Sequence, residues 1–124
     1  MKILDRKIVI AYLPMIDKLG VSRVARGLQK STTTNQGFTQ VFLSGVSLSS
    51  RATKNETWNQ RRENYLKRHL KRGKRTPLYN LDGSPSRYHL SLIAWAFSPD
   101  QKGLKKYMKS QKLNNTLFNK YLGS

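Results

Sequence analysis

Apolar positions are densest between Tyr88 and Phe97, which read Tyr-His-Leu-Ser-Leu-Ile-Ala-Trp-Ala-Phe. At 3.6 residues per turn they cover nearly the whole circumference, the pattern of a helix buried on all sides. A buried strand has the same pattern in so short a run. The flanks favour the helix: Ser84 or Ser86 offers a cap, Pro85 suits a first turn and Pro99 stops continuation. The run is also well short of the roughly 20 residues that span a bilayer. A central core helix is therefore expected here, with the other elements packed on it.

The remaining chain reads mainly as helix. Leu4, Ile8, Ala11, Tyr12 and Met15 suit one helical face, and Pro14 is expected to break that helix, with Gly20 ending a short turn after it. Residues 20–28 admit two readings. One is the second half of a helix-turn-helix with Ser22 or Arg23 facing DNA, and the other is a short amphipathic helix burying Val21, Val24, Ala25 and Leu28. Gly27 and the polar run from Ser31 to Asn35 weigh against the first. Ser31 to Gln36 reads as a loop. Phe38, Val41 and Phe42 have helical spacing before Gly45, with a strand as the rival.

Thr53 and Glu56 match a capping box opening a helix that runs to Arg72 and stops at Gly73. Its apolar side carries Trp58, Arg62, Tyr65, Leu66, His69 and Leu70. The opposite side carries Gln60, Arg61, Asn64, Lys67, Arg68, Lys71 and Arg72. Leu81 to Ser84 reads as a turn. A last pair of helical segments is expected from Pro99 to Gln111, capped by Ser98, and from Asn115 to Leu122. The expected fold class is mainly α: a small single-domain helical bundle, residues 1–124, around one buried central helix.

Charge adds the functional signal. Lys and Arg total 24 against 6 acidic residues, a formal net charge of +18. So large an excess suits a chain that sits beside a polyanion. From Arg51 to Arg75 there are ten basic and two acidic residues, the densest positive stretch in the chain. Phosphate contacts need only cations, N–H groups and hydroxyls. Arg61, Lys67, Arg68, Lys71, Arg72, Lys74 and Arg75 are accordingly the candidate nucleic-acid-binding residues. A second, all-lysine set is Lys105, Lys106, Lys109 and Lys112. Tyr79, after the basic run, is the best candidate for an exposed ring that stacks on a base.

Catalytic motifs are weak by comparison. The chain has no cysteine, so disulfides and thiolate metal sites are excluded. Asp5, Asp17, Glu56, Glu63, Asp82 and Asp100 show no metal-ligand spacing. No serine sits in a nucleophile elbow and no glycine-rich phosphate loop is present. His69 and His89 could form an acid–base pair, but both read more economically as structural. We expect no enzyme, no cofactor and no metal. No signal peptide or membrane span is expected.

Three runs, Lys18-Leu-Gly-Val-Ser-Arg-Val-Ala-Arg26, Arg61-Arg-Glu-Asn-Tyr-Leu66 and Arg87-Tyr-His-Leu-Ser-Leu-Ile-Ala-Trp-Ala-Phe-Ser-Pro99, resemble a small uncharacterised basic domain of phage and large-DNA-virus proteins. The resemblance is closest at the core helix. It implies a viral protein, inside an infected host cell or in a virion, and carries no site residues with it. The expected function is non-catalytic binding of DNA or RNA through phosphates. The alternative is a virion or assembly structural protein that meets an acidic protein partner.

Overall fold

A computed structural model describes residues 1–27, 37–73 and 75–111. Among the described residues five helices follow one another: α1 (Arg6–Leu19), α2 (Phe38–Ser44), α3 (Trp58–Arg72), α4 (Arg87–Ala94) and α5 (Gln101–Ser110). The only β features there are two isolated bridges, Arg51 with Thr57 and Tyr79 with Pro85. The chain is mainly α, a small domain of packed helices with one hydrophobic core.

Helix α4 lies where the apolar run places it. Ser86 caps it by accepting from the His89 N–H, and His89 through Ala94 are all buried. The helix ends at Ala94; Trp95 and Ala96 follow as a tight turn, still buried, with Ala96 at φ 56°. Helix α1 packs along α4 and is buried almost as deeply, from Ile8 to Leu13 and at Ile16.

The expected break at Pro14 does not occur. Helix α1 runs through it to Leu19, and Gly20 caps the same helix at φ 65°. Pro14 lies on the exposed side, while Leu13 and Ile16 on either side are buried. That burial holds the two halves in one line despite the missing N–H. Residues 23–27 form turns and 21–27 contain no helix, which overturns both the helix-turn-helix and the short amphipathic helix. Val21 and Ala25 are nonetheless buried, and Ala25 accepts from the Thr39 N–H at 2.9 Å.

Helix α2 is as expected, between Gly37 and Gly45. Its Phe38 ring stacks on Trp95 at 5.2 Å between centroids. Helix α3 begins four residues later than Thr53 suggests. Thr57 is the cap and Gln60 completes the box, Thr57 accepting from the Gln60 N–H at 3.2 Å. Thr53 instead lies in a loop that folds back, with the N–H groups of Ala52 and Thr53 both donating to the Glu56 carbonyl. Gly73 ends α3 against the ring of Tyr88, leaving no room for a Cβ. Helix α5 is capped by Asp100 rather than Ser98, through the Gly103 N–H at 3.0 Å. No helix among the described residues is long and apolar enough to cross a membrane. The Ser31–Gln36 loop, the segment from Asn115 to Leu122, Leu28, Lys74 and Lys112 lie outside the described residues.

Candidate nucleic-acid interface

Helix α3 is pinned to the core through an arginine in its apolar stripe. Arg62 is 3 % exposed and donates to four main-chain oxygens. Nε reaches Trp95 at 2.7 Å, Nη1 reaches Met1 at 2.9 Å, and Nη2 reaches Ala96 at 3.0 Å and Lys2 at 3.2 Å. Glu63 is 3.5 Å from the same guanidinium. Burial lowers the pKa of Arg62, and Glu63 pulls it back up. The guanidinium stays charged, because its donors are matched to carbonyls in a fixed fork. Sequence reading placed Arg62 on the apolar side but gave it no role. The signal was an arginine spaced between Trp58 and Leu66.

With Arg62, Trp58 and Leu66 turned inward, the other face of α3 is directed outward. Lys67, Arg68, Lys71 and Arg72 are exposed, as is Arg75 beyond the helix end. Arg61 differs from the rest of the expected set: it is half-buried and donates from Nη1 to Glu56 Oε1 at 2.8 Å. At 100° per residue, Arg61, Arg68 and Arg72 fall within about 40° of one another, and Lys67 and Lys71 lie about 60–100° further round. The cationic face thus divides into an arginine stripe and a lysine edge.

Where the carboxylates go explains why that face keeps its charge. Asp5 caps α1 through the Lys7 N–H, and Asp17 pairs with Arg26 at 2.9 Å. Glu56 pairs with Arg61, and Glu63 takes the Met1 α-amino group at 2.7 Å, which holds its pKa below the usual carboxylate value. Asp82 accepts from the Ser84 N–H and hydroxyl, and Asp100 caps α5. All six carboxylates have local structural work. Among the described residues none lies within ion-pair distance of Lys67, Arg68, Lys71, Arg72 or Arg75. The rival lysines Lys105, Lys106 and Lys109 on α5 are exposed as well.

The arginine stripe borders a groove of about 750 Å3. Val24, Tyr65 and Trp95 supply its apolar lining, and Glu56, Arg61, Asn64, Lys67 and Arg68 its polar one. Tyr65 stacks on Trp95 at 4.3 Å on one side and on His69 at 3.8 Å on the other. Its hydroxyl meets His69 Nε2 at 2.8 Å and Ser22 Oγ at 3.3 Å. Ser22 holds this position at φ 52°, in the left-handed region, and also donates to the Ser91 carbonyl at 3.1 Å. Burial raises the pKa of Tyr65 and lowers that of His69. Sequence reading missed this groove, because Val24 and Trp95 come to α3 from distant parts of the chain.

No protein family, curated protein or solved structure matches this chain. The site must therefore be read from its own chemistry. His69 and His89 have separate partners and are not brought together. His89 is fully buried, with Nδ1 3.0 Å from the Leu78 carbonyl and Nε2 2.6 Å from Ser98 Oγ. A carbonyl only accepts, so Nδ1 carries the proton and the Ser98 hydroxyl donates to Nε2. Tyr79 is not the exposed ring expected of it. It is half-buried, set edge-on against His89 at 5.2 Å, and its hydroxyl donates to Asp100 Oδ2 at 2.8 Å. Among the described residues no group of three or more His, Cys, Asp or Glu is placed to hold a metal ion.

Proposed function

We propose that this chain is a non-catalytic nucleic-acid-binding protein that contacts phosphates through the outer face of α3. The observation that carries the reading is the separation of charge. Every carboxylate is used in a cap, a turn or a pair, Glu56 with Arg61 at the edge of this face. Lys67, Arg68, Lys71, Arg72 and Arg75 meanwhile project outward from one helix and its following loop without a carboxylate partner among the described residues. Such a surface repels itself and gains most from a partner that brings regularly spaced negative charge. Arginines grip phosphate with two N–H groups, and the adjoining lysines add point charge. Lys74 belongs to the same run by sequence.

The resemblance to a phage and large-virus domain suggests where that nucleic acid would be met, in an infected cell or a particle. A viral assembly partner of acidic protein is the rival, since carboxylates accept the same arginine forks. Filter binding to duplex DNA, single-stranded DNA and RNA, each competed by polyglutamate, separates the two. Retention of at least one nucleic acid against polyglutamate supports the proposal. Binding to polyglutamate alone contradicts it.

A further inference from the structure

Arg61, Lys67 and Arg68 line one side of the groove beside the arginine stripe, but the surface between them is not a phosphate bed. A phosphate laid on the half-buried Val24 and Tyr65 would lose water and gain no hydrogen bond from apolar carbon, which is costly for a charged group. Glu56, on the rim, would repel it. Asn64 donates from Nδ2 to Glu56 Oε2 at 3.5 Å, and the pair keeps a second amide N–H, the amide oxygen and carboxylate lone pairs for the edge of a base. A duplex keeps its bases stacked inside and shows this groove only its backbone. An unpaired strand offers flat apolar faces with polar edges, interrupted by phosphates. Apolar surface at Val24 and Tyr65, the Asn64–Glu56 pair, and the lining cations Lys67 and Arg68 match that alternation.

We propose that this groove seats an unpaired nucleobase, with the neighbouring phosphates on Arg68 and Lys67, so that the protein prefers single-stranded nucleic acid to duplex. The inference rests on the phosphate-binding reading above and names the form of its ligand. Both faces of the Tyr65 ring are already covered, by Trp95 and His69. The base therefore lies against ring edges, and Asn64 and Glu56 orient it. The groove's volume of about 750 Å3 leaves room for a base together with part of its sugar.

The test compares three oligonucleotides of one length at one salt concentration by fluorescence anisotropy: a duplex, a single strand, and a single strand with abasic sites throughout. The abasic strand keeps the phosphates and removes what the groove is meant to hold. The single strand should bind about tenfold more tightly than the abasic strand, the gain expected from a base-edge hydrogen bond and modest apolar contact. Asn64→Trp, which fills the groove from an exposed position without changing charge, should remove that difference and leave duplex binding unchanged. Val24→Trp fills it from a second segment, so one folded variant, checked by circular dichroism, is sufficient. Equal affinity for the base-bearing and abasic strands, or a difference that survives a folded groove-filling variant, overturns this inference and leaves phosphate binding standing. Failure to bind any of the three overturns both.

Discussion

The Arg62 side chain donates from Nε to the carbonyl of Trp95 at 2.7 Å, and so ties the middle of α3 to the end of α4. At that end the chain turns through Ala96 at φ 56°, and a second bond from Arg62 satisfies the Ala96 carbonyl. The same carbonyl accepts from the Leu4 N–H at 2.8 Å. One buried cation thus closes a turn, fixes the start of the chain and sets which face of α3 meets solvent. The outward direction of Lys67, Arg68, Lys71 and Arg72 follows from the inward direction of Arg62.

Arg62→Gln should therefore destabilise the protein by about 3 kcal/mol or more, because buried carbonyls lose charged donors with nothing to replace them. Arg62→Lys should recover little, since an ammonium cannot reach several carbonyls in a planar fork. Arg68→Gln, on the exposed side, should fall within about 0.5 kcal/mol of the parent. Urea unfolding of the three variants checks the order.

Stability should fall below neutral pH through two histidines, His89 fully buried and His69 half-buried. Burial lowers the pKa of His89 and of His69; the Leu78 carbonyl and then Asp100 only partly restore that of His89, and Tyr65 only partly that of His69. The folded protein thus holds neutral rings where the unfolded chain, titrating near 6.5, takes up protons. The stabilising contribution is complete above about pH 6.5 and is lost progressively as pH drops from there towards the lowered folded values. Denaturant unfolding at pH 8 and pH 5 should show the loss, each pH chosen about one to two units from the histidine reference value. His89→Gln, which keeps a partner for Ser98, should show a smaller one.

Much of the helix content was legible because local chemistry and burial agree. Ser86, Pro85 and the apolar run all point to α4, and Gly45 and Gly73 stop α2 and α3 where expected. The disagreements arise where tertiary contacts choose between equivalent local signals. Thr53 with Glu56 and Thr57 with Gln60 both satisfy the capping-box pattern. The fold-back bonds to the Glu56 carbonyl, and the pairing of Glu56 with Arg61, select the second. Ser98 is a good cap by type, but its hydroxyl donates to His89 and accepts from the Asp100 N–H, before the helix begins, so Asp100 caps α5. The cationic face could be read from period alone. The groove could not, since its lining depends on where the 23–27 turn lies.

Pro14 is the position where local preference and the fold disagree most openly, and it gives a stabilising variant. Its ring removes one helical N–H in an exposed turn of α1 that burial on both sides already holds in place. Pro14→Ala should raise stability by about 1–2 kcal/mol, less than the full helix-interior cost of about 3 kcal/mol because proline also restricts the unfolded chain. An unchanged or lower melting temperature would show that the α1 backbone is shaped around the proline.

The central claim, that the outer face of α3 holds nucleic-acid phosphates, is tested most directly by the salt dependence of binding to a fixed DNA. If about six phosphates are neutralised, affinity should fall roughly a thousandfold between about 50 and 200 mM salt. Replacing Lys67, Arg68, Lys71 and Arg72 with glutamine should weaken binding alike for unrelated sequences and reduce the salt slope by about one unit per lost contact. Arg61 is left in place because it pairs with Glu56. A matched variant with glutamine at Lys102, Lys105, Lys106 and Lys109 on α5 should change the slope less. A parent affinity that stays flat across that salt range, or a folded α5 variant that loses more slope than the α3 variant, would contradict the assignment.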